Sequence, residues 1–154
     1  MKNAIFGGTL KGYYLDLASS GGCLENLMSA ISDLPVEMVN APQQADLIFV
    51  SGVISKAMAV KLKGIIPTLS RPFFIIKIGK CLGKFNKQFE NPGENPSIAE
   101  RSEKYIPIDL VIEGCPPGKS VIFDKLETFI TYIDTTPTIG KTLDKKIDTP
   151  EFKP

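Results

Sequence analysis

Three cysteines, Cys23, Cys81 and Cys115, are the residues of this 154-residue chain with the most distinctive potential chemistry. Thiolates bind iron, zinc and other soft metals, and they also act as nucleophiles. The chain contains no histidine, which removes the commonest general base and the commonest nitrogen ligand for metals. Catalysis by a serine–histidine or cysteine–histidine pair within this chain is therefore excluded.

The composition is typical of a globular domain with nearly balanced charge. The 18 basic and 17 acidic residues give no basis for binding nucleic acid or an anionic membrane. No apolar run approaches the roughly 18 residues that span a bilayer, and the first residues lack the apolar core of a signal peptide. An odd number of widely spaced cysteines argues against a disulfide framework. We expect one domain in the cytoplasm.

The elements that must position the cysteines alternate between strand-like and helix-like segments. Apolar runs predict five strands, at Gly12–Ser19, Val36–Asn40, Asp46–Gly52, Pro72–Gly79 and Ile108–Gly114. Apolar residues at helical spacing predict helices at Cys23–Leu34, Lys56–Ile66 and Lys119–Ile133. Strands separated by helices form a parallel sheet with right-handed crossovers. The pattern therefore predicts a flavodoxin-like, three-layer α/β fold with strand order 2-1-3-4-5.

The spacing also predicts which side chains face the core. The predicted inner faces are Leu24, Leu27, Met28 and Ile31 in the first helix and Val121, Ile122, Leu126, Phe129 and Ile133 in the last. Residues 83–105 are rich in Asn, Pro, Gly and Glu, which predicts a surface excursion. The last residues have little apolar periodicity. We therefore expect a single domain over 1–134 and an extended tail over 135–154.

The predicted topology brings the cysteines to one edge of the sheet. Cys23 follows the first strand, Cys81 follows the fourth by two residues, and Cys115 follows the fifth by one. Ligands of such folds bind beyond the carboxyl ends of the strands. Several glycines would allow the backbone to approach a bulky group closely, namely Gly21, Gly22, Gly79, Gly83 and Gly114. Converging thiolates on glycine-flanked loops are typical of an iron–sulfur cluster.

Other interpretations of the same residues have weaker support. Each cysteine alone could be a small buried hydrophobe, and a zinc site usually includes a closely spaced cysteine pair, which is missing here. The segment GCPPGKS, Gly114–Ser120, is similar to a phosphate loop. However, only three residues separate its glycines where that motif needs four, and two of them are prolines without an N–H. We do not predict a nucleotide site.

Four segments resemble a known protein family. GCPPGKSVIFDKLETFI, Gly114–Ile130, resembles the GCPP segment and following helix of the electron-transfer small subunits shared by nickel–iron hydrogenases and respiratory complex I. GKCLG (79–83) resembles the family's second cysteine loop, and SGGCLENL (20–27) resembles its first. Residues 45–81, which open with ADLIFVSG, resemble its central strand–helix–strand. The resemblance extends over about Gly12 to Thr131, which is most of the chain.

The resemblance implies a flavodoxin-like domain that holds a [4Fe–4S] cluster next to the active site of a large subunit. Carried over residue by residue, Cys23, Cys81 and Cys115 are three of its ligands. The fourth family cysteine would fall at Ser20 in the hydrogenase pattern and at Gly22 in the complex I pattern. Neither position holds a cysteine in this chain.

The missing cysteine leaves three outcomes open. Ser20 is the first candidate for an oxygen ligand, with Ser19, Asp16, Glu25 or a residue of a partner as alternatives. Three thiolates could instead hold a [3Fe–4S] cluster. The third outcome is a site that holds no cluster.

The expected function is one-electron transfer within a hydrogenase-like or complex I-like oxidoreductase, in which this chain alone is not a catalyst. Its expected partners are the large subunit and other iron–sulfur subunits, with membrane subunits contacted only indirectly, at the periphery of the membrane. The alternative is a cluster-free structural subunit of such a complex that has lost the fourth ligand. A flavin-binding protein is a weaker alternative because ASSGGC, 18–23, is a poor phosphate loop.

Overall fold

A computed structural model of the chain describes residues 8–17, 21–52, 64–69, 73–79, 108–114 and 116–135. The strands in these ranges are β1 (Leu10–Leu17), β2 (Val36–Met38), β3 (Leu47–Gly52), β4 (Phe74–Ile78) and β5 (Leu110–Ile112). The longer helices are α1 (Gly22–Ile31) and α2 (Lys119–Thr135), and short 3₁₀ turns lie at Pro42–Gln44 and Ile66–Thr68.

The strands form one all-parallel sheet in the order β2-β1-β3-β4-β5, which confirms the predicted α/β three-layer fold. The pairing of β1 with β3 runs from Gly12 opposite Leu47 to Leu17 opposite Gly52. Because the strands are parallel, their carboxyl ends lie at the same edge of the sheet. That edge is where the predicted site should be.

The core has one apolar group on each face of the sheet. Under α1 and α2 lie side chains such as Leu27, Phe49 and Ile76. The other face holds a second group that includes Val50 and Ile75. Every residue of β3 is buried, as expected for a central strand that is covered on both faces.

The predicted helix faces are partly wrong. Leu27 and Ile31 are buried in α1, but Leu24 and Met28 are 36% and 45% exposed. In α2, Val121 was predicted to face the core but is 44% exposed. Ile130 is buried, although it was not among the residues predicted to face the core. The helices bury a strip narrower than the apolar stripe in the sequence, so residues at its margins stay at the surface.

Some predictions concern residues outside those that the structure describes. Of the helix predicted over Lys56–Ile66, Gly64 and Ile65 are helical and 56–63 lie outside the described ranges. The excursion at 83–105 and nearly all of the predicted tail at 135–154 also lie outside them, so the division into 1–134 and 135–154 stays a prediction. No helix in the described ranges is both long enough and apolar enough to cross a membrane.

Two aspartates hold the sheet together at its amino edge. Asp46 precedes β3, and its carboxylate accepts a hydrogen bond of 2.8 Å from the backbone N–H of Lys11 in β1. The carbonyl of Asp46 accepts a 2.8 Å bond from the N–H of Phe74 in β4. Asp109, which precedes β5, makes the same kind of contact: its carboxylate accepts a 2.9 Å hydrogen bond from the N–H of Ile75 in β4. Each carboxylate thus satisfies a donor of a neighbouring strand.

Stability should depend on pH through Asp46. Burial raises the pKa of its carboxyl above the ordinary value of 3.8, although the N–H and the charge of Lys11 act in the opposite direction. The folded state then holds the proton more tightly than the unfolded state. This contribution to stability is present below pH 3.8 and is lost as pH rises through the folded-state pKa.

We expect the free energy of unfolding of wild type, minus that of Asp46→Asn, to decrease as pH rises from below 3.8 to neutrality. Asparagine keeps the acceptor for the Lys11 N–H but does not titrate. Denaturant unfolding of both proteins over a series of pH values measures this difference in free energy. The contributions of the other carboxyl groups are the same in both proteins and cancel. A difference that stays constant or grows with pH would contradict the assignment.

Candidate metal centre

The first cysteine lies at the start of α1. Gly21 precedes the helix in the left-handed conformation, with φ of 89°, and its carbonyl accepts a 3.3 Å bond from the N–H of Glu25. Cys23 is the second helical residue and is only 4% exposed. Its side chain belongs to the apolar group under α1 and α2. The turn after β1 thus directs a thiol into the protein at the carboxyl edge of the sheet.

The segment after Cys115 lies directly against α1. A Cβ atom built on Gly22 would be 3.3 Å from Cγ of Pro116, so the turn approaches as closely as a glycine allows. The side-chain amide of Asn26 donates a 2.9 Å hydrogen bond to the carbonyl of Pro117. The sequence neighbours of Cys23 and Cys115 are therefore in contact.

The turns that follow β4 and β5 start side by side. The N–H of Gly79 donates a 2.8 Å hydrogen bond to the carbonyl of Ile112. Gly79 and Gly114 have φ angles of 83° and 142°, which favour glycine. A Cβ on Gly114 would lie 2.5 Å from Cα of Pro117, so no other residue fits this turn without a shift of the backbone. Gly79 lies two residues before Cys81, and Gly114 lies one residue before Cys115.

Of the predicted ligands, the structure describes Cys23. Cys81, Cys115 and Ser20 lie outside the described residues, as does the alternative ligand Ser19. Within the described ranges no three His, Cys, Asp or Glu side chains form a group that could hold a metal ion. The ligand set therefore stays a prediction. Among the described residues, the structure brings the start of α1 against Pro116 and Pro117, and it joins Gly79 after β4 to Ile112 at the end of β5.

The other candidates for the fourth ligand differ in their surroundings. Asp16 and Glu25 are both exposed, at the end of β1 and in the first turn of α1. Gly22 is the position of the fourth cysteine in the complex I pattern. The nearby Pro116 leaves little room for a side chain there, so a cysteine at this position would require Pro116 to move.

The chemistry of this edge fits a group held by thiolates. A buried thiol is by itself typical of a structural cysteine. Gly21, Gly79 and Gly114 at this edge each have a positive φ angle, a backbone conformation that is costly for other residues. They leave backbone close to the space beyond the strands, which is where ligands of this architecture bind.

Two functional candidates were missed by the sequence prediction. Ser51 in β3 is 1% exposed, and its hydroxyl shares a hydrogen bond with the Tyr14 phenol of β1. The signal for it was a serine within an otherwise apolar strand, LIFVSG. Asn26, which joins α1 to the turn after Cys115, gave no signal, because its partner is a backbone carbonyl 91 positions away.

Comparisons with known proteins identify relatives of this chain. The model of the family described as "NADH ubiquinone oxidoreductase, 20 Kd subunit" matches residues 12–129. An NAD(P)H-quinone oxidoreductase subunit of a Cyanothece strain is 32% identical over 87 residues, 54% of this chain and 31% of the relative. An NADH-quinone oxidoreductase subunit of Leptospira biflexa is 30% identical over 109 residues, 67% of this chain and 56% of the relative. The chain thus spans between about a third and just over half of these curated relatives.

Solved structures share the fold. A chain of the membrane-bound sulfane sulfur reductase, an archaeal respiratory membrane complex, matches with a TM-score of 0.64 and 18% identity, over 92% of this chain and 86% of the other. A chain of an NAD⁺-reducing [NiFe]-hydrogenase matches with a TM-score of 0.60 and 14% identity, over 80% and 92%. At such low identity these matches show the fold alone.

Substitution of Gly114 tests the turn after β5. We expect Gly114→Ala to lower the free energy of unfolding by about 1–3 kcal/mol, because alanine is strained at this φ and its Cβ meets the backbone of Pro117. Gly64→Ala is the matched control, since open space surrounds Gly64 in a helical segment. It should be neutral or slightly stabilising. Equal effects of the two substitutions in denaturant unfolding would contradict the close packing at Gly114.

Proposed function

Because the chain belongs to the family of the NADH ubiquinone oxidoreductase 20 Kd subunit, we propose that it is an electron-transfer subunit that carries an iron–sulfur cluster. The cluster would lie next to the active site of a larger partner in a hydrogenase-like or complex I-like oxidoreductase. The observation that carries the proposal is the contact of Gly22 with Pro116, which joins the turns of Cys23 and Cys115 at the carboxyl edge.

The proposed ligands of a [4Fe–4S] cluster are Cys23, Cys81, Cys115 and Ser20. The buried thiol of Cys23 supports this set, as does the hydrogen bond from Gly79, which follows β4, to Ile112, the last residue of β5. When bound, the cluster supplies one-electron transfer. The protein fixes its position and adjusts its potential through burial, local charge and hydrogen bonds.

The proposed assembly follows from the same family. We propose a large subunit as the direct partner at the carboxyl edge, other iron–sulfur subunits beyond it, and a place at the periphery of a membrane. The domain at 1–134 would carry the cluster, and the tail at 135–154 would be a docking segment.

A cluster-free structural subunit is the second candidate. The absence of a fourth cysteine at positions 20 and 22 favours it. The turn at Gly114 speaks against it, because a turn that admits only glycine next to Cys115 lets the backbone approach a bound group closely. The two candidates differ in one measurable property, the iron content.

Iron and acid-labile sulfide should be quantified in the full chain, purified anaerobically with its large subunit, alongside an EPR spectrum. We expect about four iron and four sulfide per chain, and a loss of most of the iron in each of Cys23→Ala, Cys81→Ala and Cys115→Ala. Thr128→Ala, on the exposed side of α2, is the control and should keep its iron. A three-iron signal in the protein as isolated would limit the site to the cysteines. A well-folded complex without iron would refute electron transfer and leave the structural role.

The fourth ligand is tested by Ser20→Cys. Serine oxygen is a harder ligand than thiolate, and we expect it to lower the reduction potential of the cluster. Ser20→Cys should therefore raise the potential in an EPR-monitored redox titration, whereas the matched variant Ser19→Cys should not. A shift in Ser19→Cys alone would assign the ligand to Ser19. No shift in either variant would place the ligand elsewhere.

A further inference from the structure

The Ser51 hydroxyl is an unusual feature of the sheet. It is 1% exposed and is the buried polar side chain of the described core, in a strand whose other side chains are apolar. Burying a hydroxyl without a partner costs about 1–3 kcal/mol, and here the phenol of Tyr14 is the partner. Alanine at position 51 and phenylalanine at position 14 would fill nearly the same space without burying a hydroxyl. The pair is therefore not needed for packing.

The pair lies on the same face of the sheet as Cys23. Side chains alternate along a strand, so Ser51 shares the face of Leu47 and Phe49. Both of these, together with Cys23, belong to the apolar group under α1 and α2, and Tyr14 packs against that group. Along the strand, Ser51 is the last residue before Gly52, where β3 ends at the carboxyl edge. The hydroxyl thus occupies the face and the edge at which the Cys23 thiol is buried.

We propose that Ser51, held by Tyr14, donates a hydrogen bond to the sulfur of the bound cluster on its Cys23 side and raises its reduction potential; this inference rests on the proposed function. Either hydroxyl of the pair can donate, and we take the phenol, the more acidic of the two, as the donor to Oγ of Ser51. The serine proton is then directed to another acceptor. Hydrogen bonds to cluster sulfur stabilise the reduced state, which carries more negative charge, and so raise the potential. In this proposal Ser51 is a hydrogen-bond donor to the cluster and not a ligand, and Tyr14 is the positioning residue.

The test is an EPR-monitored redox titration of the anaerobic complex with Ser51→Ala, with iron content measured in parallel. We expect the cluster to be retained and the potential to become more negative. The shift should correspond to about a tenfold change in the ratio of reduced to oxidised cluster, or ~59 mV for one electron. Thr128→Ala removes an exposed hydroxyl that donates to the carbonyl of Asp124, and it should leave the potential unchanged.

Two further variants separate this role from a purely structural one. Ser51→Thr keeps a hydroxyl and should keep a potential close to that of wild type. The double variant Tyr14→Phe with Ser51→Ala removes both hydroxyls and should show the same lowered potential as Ser51→Ala. An intact cluster with unchanged potential in both Ser51→Ala and the double variant would overturn this inference alone. A wild-type complex without iron would overturn the proposed function and this inference together.

Discussion

The arrangement of the carboxyl edge depends on the close approach of Gly22 to Pro116. The contact brings the start of α1, which follows β1, against the turn that follows β5, although β3 and β4 lie between these strands in the sheet. Glycine at position 22 permits the approach, and the hydrogen bond from Asn26 to Pro117 fixes it. The shared apolar group under α1 and α2 relates the same two parts of the chain more loosely.

Much of the fold follows from the sequence because its signals are local. Continuous apolar runs indicate strands covered on both faces, and the alternation with helices leaves few topologies for five strands. The observed order and the five strand positions agree with the prediction, and the family match over residues 12–129 confirms the predicted relationship. The exposed Val121 shows where such reasoning fails. Helical spacing identifies an apolar stripe, but the width of the buried strip depends on how α1 and α2 pack against each other.

The site was predictable to a smaller extent. The positions of the cysteines after strands predict that all three lie at one edge, since chain direction alone determines which end of a parallel strand a loop follows. The structure describes Cys23 at that edge, and the positions of the other two stay a prediction. The link between Asn26 and Pro117 depends on a backbone carbonyl, and no residue type indicates such a partner. The pairing of Tyr14 with Ser51 depends on the register of β1 with β3, which places residues 37 positions apart next to each other. Register is a property of the assembled sheet.

The aspartates at the amino edge have an electrostatic consequence for the opposite edge. Asp46 and Asp109 tie neighbouring strands together with carboxylates, and a negative charge close to a redox group would oppose the addition of an electron. A strand of six residues such as β3 separates the two edges by about 20 Å. With an effective dielectric constant of about 20, two unit charges at that distance interact by about 1 kcal/mol before ionic screening. At about 4 Å the same charges interact by about 4 kcal/mol. Asp46 and Asp109 thus lie at the end of the sheet where their charges would least oppose an electron added at the proposed site.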